Sequence, residues 1–321
     1  MRAVVRREYG DTSVLHVEDV PEPALEPGHV IIDVAAAGVN MAEWHLMAGR
    51  PSVARLALGI RRPKRPVLGQ DVAGVVSAVG EGVTRFAVGD AVFGSAKGSW
   101  AERAAANADL LQPLPPATSF EQAAAVPMSG YTALQALRAA GDVEGRSVAI
   151  TGAGGGVGSY AVQLAAARGA HVTAVCSAAK AAFVRDLGAH EVIDYATTDP
   201  TDPGRTPRRF DAVLDFAGGL PLTRWRRVIT PGGRLVLGGA ENGGPVLGPL
   251  SRSLQAPFTR GLKATTLVAT TNGDDIAALA DALGGGTLRS TRSATYAFAE
   301  AARAVDALCA ATHPGKIVLV P

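Results

Sequence analysis

From Val148 to Gly158 the chain reads Val-Ala-Ile-Thr-Gly-Ala-Gly-Gly-Gly-Val-Gly, and it continues Ser-Tyr-Ala-Val-Gln-Leu-Ala-Ala-Ala-Arg168. A short apolar strand enters a glycine cluster that opens directly into a helical pattern. This arrangement can seat a pyrophosphate on a helix N-terminus. Glycine lets the backbone turn tightly and lets phosphate oxygens approach the amides. The first free N–H groups of the helix add donors and partial positive charge. The strict G-x-G-x-x-G spacing is absent. The registers that fit are Ala153-x-Gly155-x-x-Gly158 and Gly152-x-x-Gly155-x-x-Gly158. Gly152, Gly155, Gly156, Val157 and Gly158 are therefore the candidate phosphate cradle.

The next strand decides which dinucleotide fits. An acid at its end hydrogen-bonds the ribose 2′-hydroxyl of NAD and repels the 2′-phosphate of NADP. Here His171–Cys176 ends in Ser177-Ala-Ala-Lys180, with no carboxylate. Ser177 at a helix N-cap and Lys180 in its first turn would suit a 2′-phosphate, so NADPH is the expected cofactor. Gly238, Gly239 and Ala240 end the fifth parallel strand, where ligands gather in open sheets. Their small side chains would leave room for a nicotinamide.

The elements that must position these groups can be read along the chain. The first hundred residues are β-rich, with apolar runs at Val30–Val34, Val72–Val79 and Ala91–Phe93 between Gly and Pro turns. From Phe120 the pattern alternates. Helices are expected at Glu121–Val126, Thr132–Ala140 and Ala178–Leu187. Strands are expected at Ser147–Ile150, His171–Cys176, Glu191–Asp194, Asp211–Phe216, Arg234–Leu237 and Thr265–Ala269. Strands separated by helices imply βαβ units and a parallel sheet. Helices at Asp274–Leu283 and Phe298–Leu308 and a strand at Lys316–Val320 close the chain. The expected class is α/β. A β-rich domain (1–118) is followed by a doubly wound α/β domain (119–264), and a return segment (265–321) completes the first.

Bulk properties narrow the function classes. The 321 residues are 47% hydrophobic and 19% charged, with a formal net charge of +2. That balance gives no general case for nucleic acid or membrane binding. Cys176 and Cys309 are the only cysteines, too few for a disulfide framework or a four-cysteine zinc lobe. The charged N-terminus lacks a signal-peptide core and no run is long enough to span a bilayer, so a cytoplasmic location is expected.

Several ordered motifs together resemble a known family. They are Ala37-Gly-Val-Asn40, Pro66-Val-Leu-Gly-Gln-Asp-Val-Ala-Gly-Val-Val76, Val88-Gly-Asp-Ala-Val-Phe-Gly94 and Gly98-Ser-Trp-Ala-Glu102. Further along come Ala123-Ala-Ala-Val-Pro-Met-Ser-Gly-Tyr-Thr-Ala-Leu134, Val192-Ile-Asp-Tyr195, Phe210-Asp-Ala-Val-Leu-Asp215 and Gly315-Lys-Ile-Val-Leu319. Over nearly its whole length the chain resembles zinc-independent medium-chain dehydrogenases/reductases of the quinone oxidoreductase and enoyl reductase type. The resemblance implies a GroES-like catalytic domain, a Rossmann domain and an active site in the cleft between them. It also implies NADPH-dependent reduction of a quinone or a carbonyl-conjugated double bond, and a homodimer joined through edge strands such as Thr265–Ala269.

By the same resemblance, Asn40 and His45 are the candidate catalytic residues. Asn40 matches an asparagine near the nicotinamide and substrate, and His45 stands where many relatives carry a tyrosine. His45 would hydrogen-bond the substrate oxygen or relay a proton, a role water could also fill. Glu43 matches an acidic position. Tyr195 matches a tyrosine near the adenosine phosphate. Ser129 and Thr132 match contacts to the nicotinamide phosphate, although either hydroxyl could instead cap a helix. Zinc-dependent members need a cysteine near the A-G-V-N block and a histidine in a G-H-E block. This chain has Asn40 and Gly69-Gln70-Asp71 there, so no catalytic zinc is expected.

A basic cluster, Arg55, Arg61, Arg62, Lys64 and Arg65, could attract an anionic substrate carrier, although such clusters are more often solvated faces. A biosynthetic tailoring enzyme, reductase or cyclase, is compatible with the same fold. So is a catalytically silent NADPH-binding regulator.

Overall fold

The computed structural model describes residues 1–206, 209–238 and 262–321. Two compact units emerge, Met1–Tyr131 with Thr271–Pro321, and Thr132–Thr270.

In chain order the first unit opens with β1 (Arg2–Val5), β2 (His16–Asp19) and β3 (His29–Val39). Helices α1 (Met41–Ala48) and α2 (Arg55–Leu58) precede β4 (Asp71–Val79), β5 (Ala91–Ser95), β6 (Arg103–Asn107) and β7 (Leu111–Pro113). Helices α3 (Phe120–Ala124) and α4 (Pro127–Ala140) follow, and the chain passes into the second unit within α4. There, β8 (Ser147–Thr151), α5 (Gly156–Ala167), β9 (His171–Cys176), α6 (Ala181–Asp186) and β10 (Glu191–Asp194) alternate. They continue into β11 (Phe210–Asp215), α7 (Leu222–Trp225), β12 (Ile229–Leu237) and β13 (Lys263–Thr266). The return segment adds α8 (Gly273–Gly284), β14 (Arg292–Ala297), α9 (Ala301–Cys309) and β15 (Lys316–Val320).

The first unit is built on a sheet ordered β14-β15-β3-β4-β5-β7, with β6 also on β3. Its long central strand β3 is buried along most of its length, and β4 and β15 run antiparallel to it on either side. The N-terminal residues of β4 and β15 therefore flank the C-terminal end of β3. Asp71, Lys316 and Asn40 meet there as a consequence of topology. Trp100, fully buried, donates its indole N–H to the Gly38 carbonyl (3.0 Å) and fixes that end of β3.

The segment 119–131, expected with the cofactor domain, clusters with this first unit. Its Ala123, Ala124 and Ala125 are sealed against Ala36, Ala73, Phe93 and Val318 of the sheet. The helix expected from Thr132 begins earlier, at Pro127, because proline's fixed φ and missing N–H suit a first helical turn.

The second unit is a parallel sheet ordered β10-β9-β8-β11-β12-β13, the doubly wound arrangement expected from the alternating pattern. Strand β8 is buried throughout, and from Gly158 to Ala165 every residue of α5 is buried. The C-terminal ends of β8 and β11 are tied together. Thr151 donates its hydroxyl to Asp215 (2.7 Å), which also accepts the Gly218 N–H (3.0 Å). Among the described residues no helix is long and apolar enough to cross a membrane.

Candidate functional site

The glycine run leaves β8 and enters α5 as its sequence implies. Gly152 adopts a left-handed φ of 63°, and Gly155 is the N-cap of α5 in extended backbone. Gly158 exists for close approach: a Cβ there would stand 2.2 Å from the Gly152 carbonyl oxygen and 2.7 Å from Ala153 Cα. A Cβ on Gly155 would meet one atom, the same oxygen at 3.3 Å, so the space beside that residue is open. Gly156 and Val157 begin α5, whose first amides have no intrahelical acceptor.

The neighbouring strand ends bring further candidates to this end of the sheet. Ser177 follows β9 and precedes a short 3-10 turn, Ala178–Lys180, without using its hydroxyl as a cap. Lys180 closes that turn instead of lying in the first turn of α6. Its side chain lies along the glycine loop, 2.6 Å from where a Cβ on Gly154 would stand. Partial burial pushes its ammonium below the ordinary lysine pKa. Tyr195 follows β10, donates its backbone N–H to Cys176 (3.3 Å) and exposes 62% of its surface. Gly238 follows β12, but the space a Cβ would need is filled by the Phe216 ring at 2.5 Å, so its smallness already has an intramolecular use. Gly239 and Ala240 lie outside the described residues, as does the loop Asn242–Phe258.

Ser129 and Thr132 are both buried on α4, one turn apart. Because α4 starts at Pro127, neither hydroxyl is placed to cap it.

In the first unit the polar residues around Asn40 form one buried cluster, with a little of Asn40 still exposed. Asn40 precedes α1 as its N-cap residue, but its side chain does not cap the helix. Its Nδ2 donates to Asp71 Oδ2 (2.9 Å), and its Oδ1 accepts from Lys316 Nζ. Lys316 also donates to the Val39 carbonyl (2.9 Å). Glu43 takes over the capping, its Oε2 accepting the Asn40 backbone N–H at 2.9 Å. Asp71 Oδ1 accepts the Met128 N–H at the start of α4 (2.9 Å), where a helix N-terminus favours negative charge. Gly38 makes room for this: a Cβ there would lie 2.7 Å from Asp71 Oδ2 and from the Ala124 carbonyl.

The electrostatics follow from burial. Asp71, Glu43 and Lys316 are all buried, so two carboxyl groups lie in the field of one ammonium. Desolvation and the nearby Asp71 push Glu43 up to about 8, and its Oε1 has no hydrogen-bond partner. Burial also raises Asp71 and lowers Lys316, each opposed by the other's charge. Tyr131, in the same surroundings, is pushed up to about 12 by burial and by Asp71.

His45 sits in the last turn of α1, its ring edge-on to Trp44 at 5.0 Å between centroids. Its Nδ1 is buried without a hydrogen-bond partner, and desolvation lowers its pKa, which favours the neutral imidazole. Sequence reasoning used Asp71 only to test for a metal and Lys316 only as part of a motif. A charged residue opening each of two otherwise apolar strands was the available signal that Asp71 and Lys316 meet. Among the described residues, no three His, Cys, Asp or Glu side chains are placed to hold one metal ion.

Comparison with known proteins gives consistent relatives. Residues 26–116 match the family model of the alcohol dehydrogenase GroES-like domain, and residues 187–319 match that of zinc-binding dehydrogenases. A chloroplastic quinone-oxidoreductase homolog of Spinacia oleracea is 36% identical over 71% of this chain and 70% of its own length. The chloroplastic quinone-oxidoreductase QR1 of Triphysaria versicolor is 33% identical over 100% of this chain and 98% of its own. Among solved structures, a quinone oxidoreductase from Coxiella burnetii superposes with a TM-score of 0.86 at 27% identity, covering 100% of this chain and 99% of that one. A mycobacterial protein complexed with NADPH gives 0.85 at 28% identity, with 100% of both chains covered.

Proposed function

The chain belongs to the medium-chain dehydrogenase/reductase superfamily, among its quinone oxidoreductases, and on that premise we propose that it is an NADPH-dependent, zinc-independent reductase of quinones or α,β-unsaturated carbonyls. The observation that carries the reading is the glycine cradle at Gly152–Gly158, open beside Gly155, with the Lys180 side chain along it and no carboxylate ending β9. The amides at the start of α5 would hold the pyrophosphate, and Ser177 and Lys180 the 2′-phosphate, with Tyr195 flanking the adenosine side. When bound, NADPH supplies a hydride to an electron-poor acceptor.

The chain's own contribution to that chemistry is a fixed hydrogen-bond donor. Lys316 occupies Asn40 Oδ1 and Asp71 one Nδ2–H, so the amide cannot flip and keeps one further N–H to offer an acceptor oxygen that gains charge. A conjugated acceptor spreads the incoming charge onto an oxygen that such donors can stabilise, whereas an unactivated ketone gains more from a Lewis acid or a strong proton donor. Asn40 and Gln70 occupy positions at which zinc-dependent relatives carry ligands, and Asp71 is already engaged by Lys316, Asn40 and α4. Both points support chemistry without a catalytic zinc. His45, favoured neutral by burial, would hydrogen-bond the acceptor oxygen or relay a proton to it from water after hydride transfer. Ser129 and Thr132 would flank the nicotinamide phosphate, and β13 at the sheet edge would join two copies into a dimer.

The test is NADPH oxidation at 340 nm against a panel of quinones, enals and enones. Turnover with one of these classes and no stoichiometric zinc by elemental analysis is the expected result. NADPH binding without turnover on any acceptor, or activity lost together with zinc on chelation, would overturn it.

A further inference from the structure

From Arg50 to Gln70 the chain carries six cations (Arg50, Arg55, Arg61, Arg62, Lys64 and Arg65) and no Asp or Glu, although all 321 residues together carry a net charge of only +2. The whole-chain average conceals this concentration. In the same stretch Val53, Leu56 and Ile60 are 42%, 72% and 68% exposed. Arg61, Arg62, Lys64 and Arg65 are also exposed, and none of them has an ion-pair partner among the described residues.

The excursion is anchored at its base. Arg55 donates to the carbonyls of Gly49 (2.9 Å) and Ala48 (3.1 Å), and its guanidinium lies 4.4 Å from the centroid of the Tyr9 ring. Tyr9 donates its hydroxyl to the Gly59 carbonyl (2.8 Å), and the Lys64 N–H closes on Leu58 (2.9 Å). The apolar side chains are therefore held out in water by a fixed backbone, and exposure on this scale marks an interaction surface.

We propose that this segment docks the protein peripherally on an anionic phospholipid surface, with Leu56 and Ile60 entering the headgroup region while Arg61, Arg62, Lys64 and Arg65 face lipid phosphates and carboxylates. Exposed aliphatic side chains interleaved with cations, with no acid among them, match the chemistry of such an interface. The four cations flank Pro63 at successive positions, so they spread in several directions. A field of mobile headgroups accommodates that spread, whereas a discrete acidic protein patch requires a matched array of charges.

The experiment is co-sedimentation of the full chain with phosphatidylcholine vesicles, with and without about 30% phosphatidylserine, at about 0.1 M salt, where screening still leaves surface charges effective. Binding to the anionic vesicles alone is expected. Replacing the four cations by Arg61→Glu, Arg62→Glu, Lys64→Glu and Arg65→Glu should abolish it, since each cation at such a surface strengthens binding about fivefold. Leu56→Ser with Ile60→Ser should weaken it at least about tenfold. Unchanged thermal melting will show that both variants fold, and Arg226→Glu with Arg227→Glu, exposed elsewhere, serves as the charge control and should bind normally. A wild-type chain left in the supernatant, or either segment variant sedimenting as wild type does, overturns the proposal. Saturable binding to an acidic acyl-carrier protein without vesicle binding also overturns it, and assigns the patch to a protein partner.

Discussion

Lys316 Nζ stands 3.7 Å from Asp71 Oδ2, with both side chains all but sealed from solvent. A buried pair of this kind need not stabilise a protein relative to an apolar pair, but removing one partner strands the other's charge. Lys316→Met is expected to cost ~3–5 kcal/mol in urea unfolding, because Asp71 loses its counter-charge and Asn40 Oδ1 its donor. Adding Asp71→Asn in the same chain should restore a substantial part of that loss. A double variant no more stable than the single one would show that the ammonium is needed for its bonds to Val39 and Asn40 rather than to balance Asp71.

Glu43 has the opposite pH behaviour to an ordinary paired carboxylate. Its folded-state pKa of about 8 lies above the ordinary glutamate value of 4.5, so the folded chain binds this proton more tightly than the unfolded chain. Its contribution is fully present below the unfolded value and is lost as pH rises through the folded one. Glu43→Gln keeps an uncharged acceptor for the Asn40 N–H and removes the titration. The variant's stability relative to wild type should therefore rise between about pH 5 and 8, by up to a few kcal/mol. Parallel stability curves over that range would refute the assignment.

How legible each feature was follows from the range of the interaction behind it. The phosphate cradle is local: strand, glycines and helix are consecutive, so Gly152–Gly158 could be read directly. Lys180 is near in sequence, and only its approach to Gly154 is a property of the folded loop. The Asn40 cluster is different. Asp71 and Lys316 reach Asn40 because β4 and β15 are both antiparallel to β3, and that register is a property of the sheet. Gly238 shows the converse case. A small residue at a strand end suggests room for a ligand, but the room holds Phe216.

Two glycine substitutions separate architecture from ligand binding. Gly158→Ala places a Cβ 2.2 Å from a backbone oxygen that cannot withdraw without moving the loop. It should lower the melting temperature and weaken NADPH binding together. Gly155→Ala meets that oxygen at 3.3 Å and sits in extended backbone that alanine tolerates, so the fold should hold within ~1 kcal/mol. Its methyl group would nevertheless enter the open cradle, and the NADPH Kd by calorimetry should rise by about tenfold or more. If Gly155→Ala binds NADPH normally, the cradle is not where the pyrophosphate sits.

Cofactor choice can be tested at the end of β9. Lys180→Met preserves the aliphatic chain lying along Gly154 and removes only the ammonium, so the loop should keep its shape. A charge-assisted contact contributes ~1.5–3 kcal/mol, and losing one to the 2′-phosphate should raise the NADPH Kd at least about tenfold. NADH has no such phosphate, so its Kd should stay within about twofold, because nothing that it touches has changed. Ser177→Asp should act in the same direction by placing a carboxylate where the 2′-phosphate would lie. Fluorescence titration of both nucleotides against both variants decides the matter. Equal losses for NADPH and NADH would mean that Lys180 supports the loop and reads no phosphate.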